Sequence, residues 1–186
     1  MPLTLDGLRK LMEGEGFRYF VDPQKPVLMS GGRGLHGQYQ FIVSLELDGQ
    51  FLQFRTQHYA SCAADNQHLG TTLKVLLALD YQLRFAKFAW DSSDGEVVAY
   101  GDIWIADGTL TQTQFSRCLA SFVSAIDLNY PRITKAVAEG KDIGQVGSGG
   151  ISPTMSDSLS AKLRELLEEL VGRGGQPKPD PDISTI

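Results

Sequence analysis

The chain has 186 residues, 42% of them hydrophobic and 21% charged, with a formal net charge of -5. Those proportions suit a soluble globular domain with an appendage, and the acidic balance argues against non-specific binding to nucleic acid or anionic membranes. No apolar run approaches the ~18 residues of a membrane span, and MPLTLDGLRKLM lacks a basic region followed by an apolar core, so neither membrane insertion nor a signal peptide is expected.

Thr4 to Glu15 reads as a helix, with Leu5, Leu8, Leu11 and Met12 near helical spacing and Thr4 or Asp6 as its cap. Phe17 to Val21 reads as a short strand ended by Asp22-Pro23, and the stretch to Gly37 as a loop interrupted by Val27-Leu28-Met29. Gln38 to His58 is a hairpin turned by Asp48-Gly49. Pairing Leu47 with Gln50 sets Leu45 opposite Leu52, Val43 opposite Phe54 and Phe41 opposite Thr56. That gives one apolar face and one wet one.

Asn66 to Asp80 returns to helical spacing, with Asp65 as the expected N-cap. A second hairpin follows over LRFAKFAWDSSDGEVVAYGDIWI, residues 83–105, turned at Asp91–Glu96. Pairing Trp90 with Val97 puts Phe88, Trp90, Val97, Ala99, Ile103 and Ile105 on the core face. Phe85, Lys87, Ala89, Val98, Tyr100, Asp102 and Trp104 then share the other. Thr111 and Gln114 form a capping box ahead of a stripe of Phe115, Leu119, Phe122, Val123 and Ile126. This helix should run to about Tyr130, where Pro131 either ends it or kinks it ahead of a continuation through Ile133, Ala136 and Val137.

Residues 140–155, GKDIGQVGSGGISP and its flanks, read as a Gly/Ser-rich linker. Residues 156–172 read as an amphipathic helix with Leu159, Leu163, Leu166 and Leu170 on one side, and 173–186 as a Pro-rich polar tail. Residues 1–139 therefore form an α+β domain of order α-β-β-β-α-β-β-α, an antiparallel sheet with helices on one face.

No motif carries catalysis. Gly31-Gly32-Arg33-Gly34 and Gly147-Ser148-Gly149-Gly150 lack the Lys-Ser/Thr of a phosphate loop. His36, His58 and His68 fall in no metal-ligand spacing, and Asp91, Asp94 and Glu96 do not alternate as a calcium loop does. No cofactor or metal is expected. Cys62 and Cys118, far apart in the chain, read as reduced buried thiols of a cytoplasmic protein ahead of a single disulfide.

The run LRFAKFAWDSSDGEVVAYGDIWIADGTLTQTQFSRCLASFVSAIDLNYPRI resembles the core of the YbjN-like family. The pattern lies on Phe85, Phe88, Asp91, Asp94, Gly95, Glu96, Val97, Val98, Asp107, Gly108 and Phe115. The element order is also that of the type III secretion chaperone-like fold. The resemblance implies a non-enzymatic, often dimeric domain, a sensory-transduction regulator or chaperone-like binder, and supplies no catalytic residues.

The function expected is thus a protein-binding module and homodimer with an unidentified protein partner. Its contacts are expected at Phe85, Lys87, Tyr100, Trp104, Leu159, Leu163, Leu166 and Leu170, since aromatics interleaved with charges and a leucine stripe suit a binding surface; the other reading is that the terminal helix folds back over that face. The alternative is a small-molecule binder or enzyme built on the Gly31–Gly37 loop with His36, His58 or Cys62.

Overall fold

The computed structural model describes residues 2–106 and 108–144. The proposed helix and tail, 156–186, and most of the linker lie outside them. Three helices and seven strands run in the order α1 (Leu5–Gly14), β1 (Tyr19–Val21), β2 (Val27–Arg33), β3 (Gln38–Glu46), β4 (Phe51–Gln57), β5 (Ala60–Ser61), α2 (Leu69–Gln82), β6 (Lys87–Trp90), β7 (Glu96–Trp104) and α3 (Gln112–Glu139). The α+β class and the order of the three helices match the sequence reading; β2 and β5 are additional strands.

The sheet is antiparallel throughout, and β4 and β5 both pair with β7. Tyr100 pairs with Arg55 on one side and Lys87 on the other, while Val97 pairs with Ala60 and Trp90. A strand has only two sides, so β4 and β5 share one side of β7 and β6 takes the other. His58, at φ 51, breaks the β4–β5 strand between its two pairings.

Both hairpins keep their expected registers: Leu45↔Leu52, Val43↔Phe54 and Phe41↔Thr56 in one, Phe88↔Ala99 and Trp90↔Val97 in the other. Asp48 and Gly49 both sit at positive φ and Gln50 N–H donates to the Leu47 carbonyl, the turn that matches strand twist. At the second turn, Asp91 accepts from the Ser93 amide and hydroxyl, and Asp94 from the Glu96 amide. The Ser93 bonds hold the Asp91 carboxyl below its usual range.

One apolar core lies between the sheet and the helices. Phe41, Val43, Leu52, Phe54, Val97 and Ala99 meet Leu8, Met12, Val75, Leu79, Phe115, Phe122 and Ile126. The Phe54 ring lies 5.7 Å from both Phe115 and Phe122. α3 carries the expected capping box on Thr111 and Gln114. It runs through Pro131, because the turns beyond bury Ile133 and Ala136. That burial offsets the roughly 3 kcal/mol penalty of an internal proline.

Two local readings are corrected. α2 begins at Leu69, not Asn66, and its N-cap position is His68, not Asp65. Asn66 instead accepts the His68 amide in a preceding turn. The chain from Val27 to Arg33 is a full strand rather than a loop. Gly31 permits it, since a Cβ there would sit 2.5 Å from the Tyr39 carbonyl oxygen.

Candidate protein-binding surface

Every helix contributes to the core on one face of the sheet, and no described element covers the other. Register places Phe20, Met29, Ile42, Arg55, Tyr100 and Lys87 in one row across that outer face. Glu46, Phe51 and Trp104 form a row near its end, with Ser44, Gln53 and Asp102 between them. Phe20 is 77% exposed and Trp104 70%. The Phe51 and Trp104 ring centroids lie 5.0 Å apart, a cross-strand aromatic pair open to water. Gln53 Nε2 donates to Asp102 at 2.9 Å, and Arg55 lies 3.9 Å from Glu96. The surface is therefore aromatic at two ends and polar in the middle.

Four of the site residues expected from the sequence fall within the described region, and one of them, Phe85, stands elsewhere than expected. Tyr100 and Trp104 lie on the outer face, Tyr100 half-buried. Phe85 is on the core side: its ring is 5.9 Å from Phe54 and fills the space where a Cβ on Gly101 would be. The reason is that β6 begins only at Lys87, so residues 83–86 leave the strand alternation. Lys87 belongs to the outer row, but its Nζ donates to the Asp80 and Leu83 carbonyls at 2.6 Å each. It satisfies the C-terminus of α2, where a cation suits the helix dipole. Leu159, Leu163, Leu166 and Leu170 lie outside the described residues.

Sequence reasoning did not single out Phe51, Phe20 or Met29. The first is visible only through its pairing with Trp104, and the last two need β2 to be recognised as a strand.

The loop of the alternative reading has a different task. Gly34 N–H donates to the Gly37 carbonyl, making a tight β2–β3 turn. The Leu35 and His36 amides and the Tyr39 hydroxyl all donate to the buried carboxylate of Asp127 on α3, at 2.8, 2.8 and 2.9 Å. A Cβ at Gly34 would meet that carboxylate at 2.4 Å. Burial, then the bond to Asp127, pushes the Tyr39 phenol far above its ordinary range. Tyr39, Tyr59 and Tyr130 pack together beside it, with Tyr59 donating to the Ile126 carbonyl at 2.6 Å.

The backbone of exposed His36 is thus held by Asp127. Exposed His58 is held through its amide by Glu96, and buried Cys62 sits 3.8 Å from the Thr72 hydroxyl. Among the described residues the three side chains share no hydrogen bond, and no group of three His, Cys, Asp or Glu could hold a metal ion. Cys62 and Cys118 are both free.

At the far end of α3, buried Arg132 donates two hydrogen bonds to Asp142, at 2.7 and 2.8 Å. Asp142 in turn accepts the Gly144 amide. The opening of the expected linker is therefore folded back onto the helix. The Arg132 guanidinium lowers the Asp142 carboxyl to about 2.

Fold and surface together define an α+β domain with one sheet face covered by helices and one that no described helix covers. A family model described as “putative bacterial sensory transduction regulator” matches residues 4–135, and the chain belongs to that family, YbjN. The crystal structure of YbjN from E. coli, described as “a putative transcription regulator”, is 16% identical with a TM-score of 0.53. It covers 70% of this chain and 89% of that one, and shows the shared fold. The ExsC–ExsE complex structure is also 16% identical, covering 72% and 97%, with a TM-score of 0.40, too distant for its fold to be carried over. No curated protein sequence matches the chain. Among the described residues no helix is long and apolar enough to cross a membrane.

Proposed function

We propose that this protein is a non-enzymatic, chaperone-like or regulatory binding module that engages a protein partner through the outer sheet face and works as a homodimer. The observation that carries the reading is the Phe51–Trp104 pair, two tilted rings 5.0 Å apart with Phe51 half-buried and Trp104 exposed, on a face that no described helix covers. Aromatic anchors ringed by polar groups are the usual composition of a binding hot spot. Tyr100 and Ile42 extend the surface toward the Phe20 edge. The stripe of Leu159, Leu163, Leu166 and Leu170 is proposed, from its sequence pattern, as a second apolar contact for the partner. The free thiols support a reducing, cytoplasmic setting.

The test is quantitative co-purification from the protein's own cells, comparing the natural chain with Phe51→Ala/Trp104→Ala. A partner recovered with the natural chain and lost from an equally stable double variant supports the role. Equal recovery rejects it.

A further inference from the structure

In an antiparallel ladder each residue turns both its N–H and its C=O toward one neighbour, and successive residues alternate. The direction along β7 is fixed at three points. The Glu96 carbonyl accepts from Asp91, on the β6 side. The Gly95 carbonyl accepts from Cys62, and the Ile105 amide donates to Gln50, both on the β5/β4 side. Even-numbered residues of β7 therefore look toward β6. But β6 reaches only to the Lys87–Tyr100 pair, while β7 continues to Trp104. The backbone groups of Asp102 and Trp104 face an edge with no described strand beside it.

That edge is complementary to itself. Aligned antiparallel with its own copy so that Asp102 opposes Trp104, both open residues of each chain are satisfied at once. Ile103 then lies opposite Ile103 on the two-fold axis. Pairing Asp102 with Asp102 would set two carboxylates face to face and bring Trp104 against Tyr100, whose backbone β6 already occupies. The chain leaves the edge immediately beyond, at Ala106 with φ 53, so a second copy meets no continuing strand.

We propose that the open edge of β7 pairs antiparallel with the β7 edge of a second copy, Asp102 opposite Trp104 and Ile103 opposite Ile103. The inference deepens the reading of the chain as a protein-binding homodimer and rests on it. The two sheets become one, and the two Phe51–Trp104 pairs come together on a single outer face.

Opposed Ile103 residues form a non-hydrogen-bonded pair, with Cα atoms at about 4.5 Å, a separation that a disulfide spans. Under mild oxidation the full chain carrying Ile103→Cys should convert to a covalent dimer. The parent chain and the exposed control Gln40→Cys should not. Asp102→Pro removes an amide that points to the open edge, so the β4 ladder survives. Light scattering should show the parent at twice the mass of one chain, and Asp102→Pro at half the parent's mass with an unchanged circular dichroism spectrum.

A monomeric parent overturns the inference. So does a dimer that Ile103→Cys fails to crosslink, or one that Asp102→Pro leaves intact. A monomer that still loses its partner on Phe51→Ala/Trp104→Ala refutes the edge pairing and the homodimer and leaves the binding face standing. A crosslinked dimer whose partner recovery ignores those two rings refutes the binding face alone.

Discussion

The two faces of this sheet are made by the same strands, and both carry aromatic rings. On the inner face Phe41, Phe54 and Phe88 are buried against helices. On the outer face Phe20, Phe51, Tyr100 and Trp104 have no helix over them in the described chain, and Phe20 and Trp104 are exposed. Aromatic content alone therefore does not separate core from surface; what separates them is which side α1, α2 and α3 cover. The contrast predicts that inner-face substitutions act on stability and outer-face substitutions act on binding.

The largest expected effect is on the inner face. Phe122→Ala should lower unfolding free energy by about 3–5 kcal/mol in a denaturant titration, because its ring meets both Phe41 and Phe54. Asp127→Ala should cost about 2–3 kcal/mol, since it removes the acceptor shared by two part-buried amides and the buried Tyr39 hydroxyl. It should also raise hydrogen exchange at Leu35 and His36 above that of the β3–β4 turn. Exchange unchanged at those two amides would contradict the anchoring role.

Asp142→Asn should destabilise by about 1–2 kcal/mol near neutral pH, a value reduced because the carboxylate remains partly in water. The sign follows from the shift. Asp142 titrates lower when folded than its unfolded value of about 3.9, so its contribution is complete above that pH and vanishes as pH falls through about 2. Melting temperatures of the two proteins should differ at neutral pH and converge at the acid end. A constant gap would contradict the Arg132 pairing. Smallest in stability, Trp104→Ala should change unfolding free energy by no more than about 0.5 kcal/mol, as expected for an exposed side chain. It should nonetheless weaken partner binding on the order of 30-fold, the size of a hot-spot loss.

Legibility in the sequence follows the range of the interaction. The registers of both hairpins were readable because Asp48-Gly49 and Asp91–Gly95 act within a few residues, and the Thr111–Gln114 cap is as local. The Asp127 anchor was not, since its partners lie 91 and 92 residues away. The only hint was an acid between Val123 and Tyr130 on an otherwise apolar stripe. β2 was hidden by Gly31 and Gly32, which carry no side chain to alternate. Phe85 was assigned to the wrong face because nothing local shows that β6 starts two residues after it. Of the surface, Tyr100 and Trp104 were legible by alternation, while the importance of Phe51 required the β4–β7 pairing between distant strands.

The central claim, that the open face receives a protein, is tested most directly by a photo-crosslinking side chain at Gln53, between the Phe51–Trp104 pair and Arg55. The control site is exposed Lys74 on α2. In the protein's own cells, Gln53 should capture a protein other than a second copy well above the level captured from Lys74, and Trp104→Ala should abolish the difference. Equal capture from both positions, or capture from Gln53 that Trp104→Ala leaves unchanged, would contradict it.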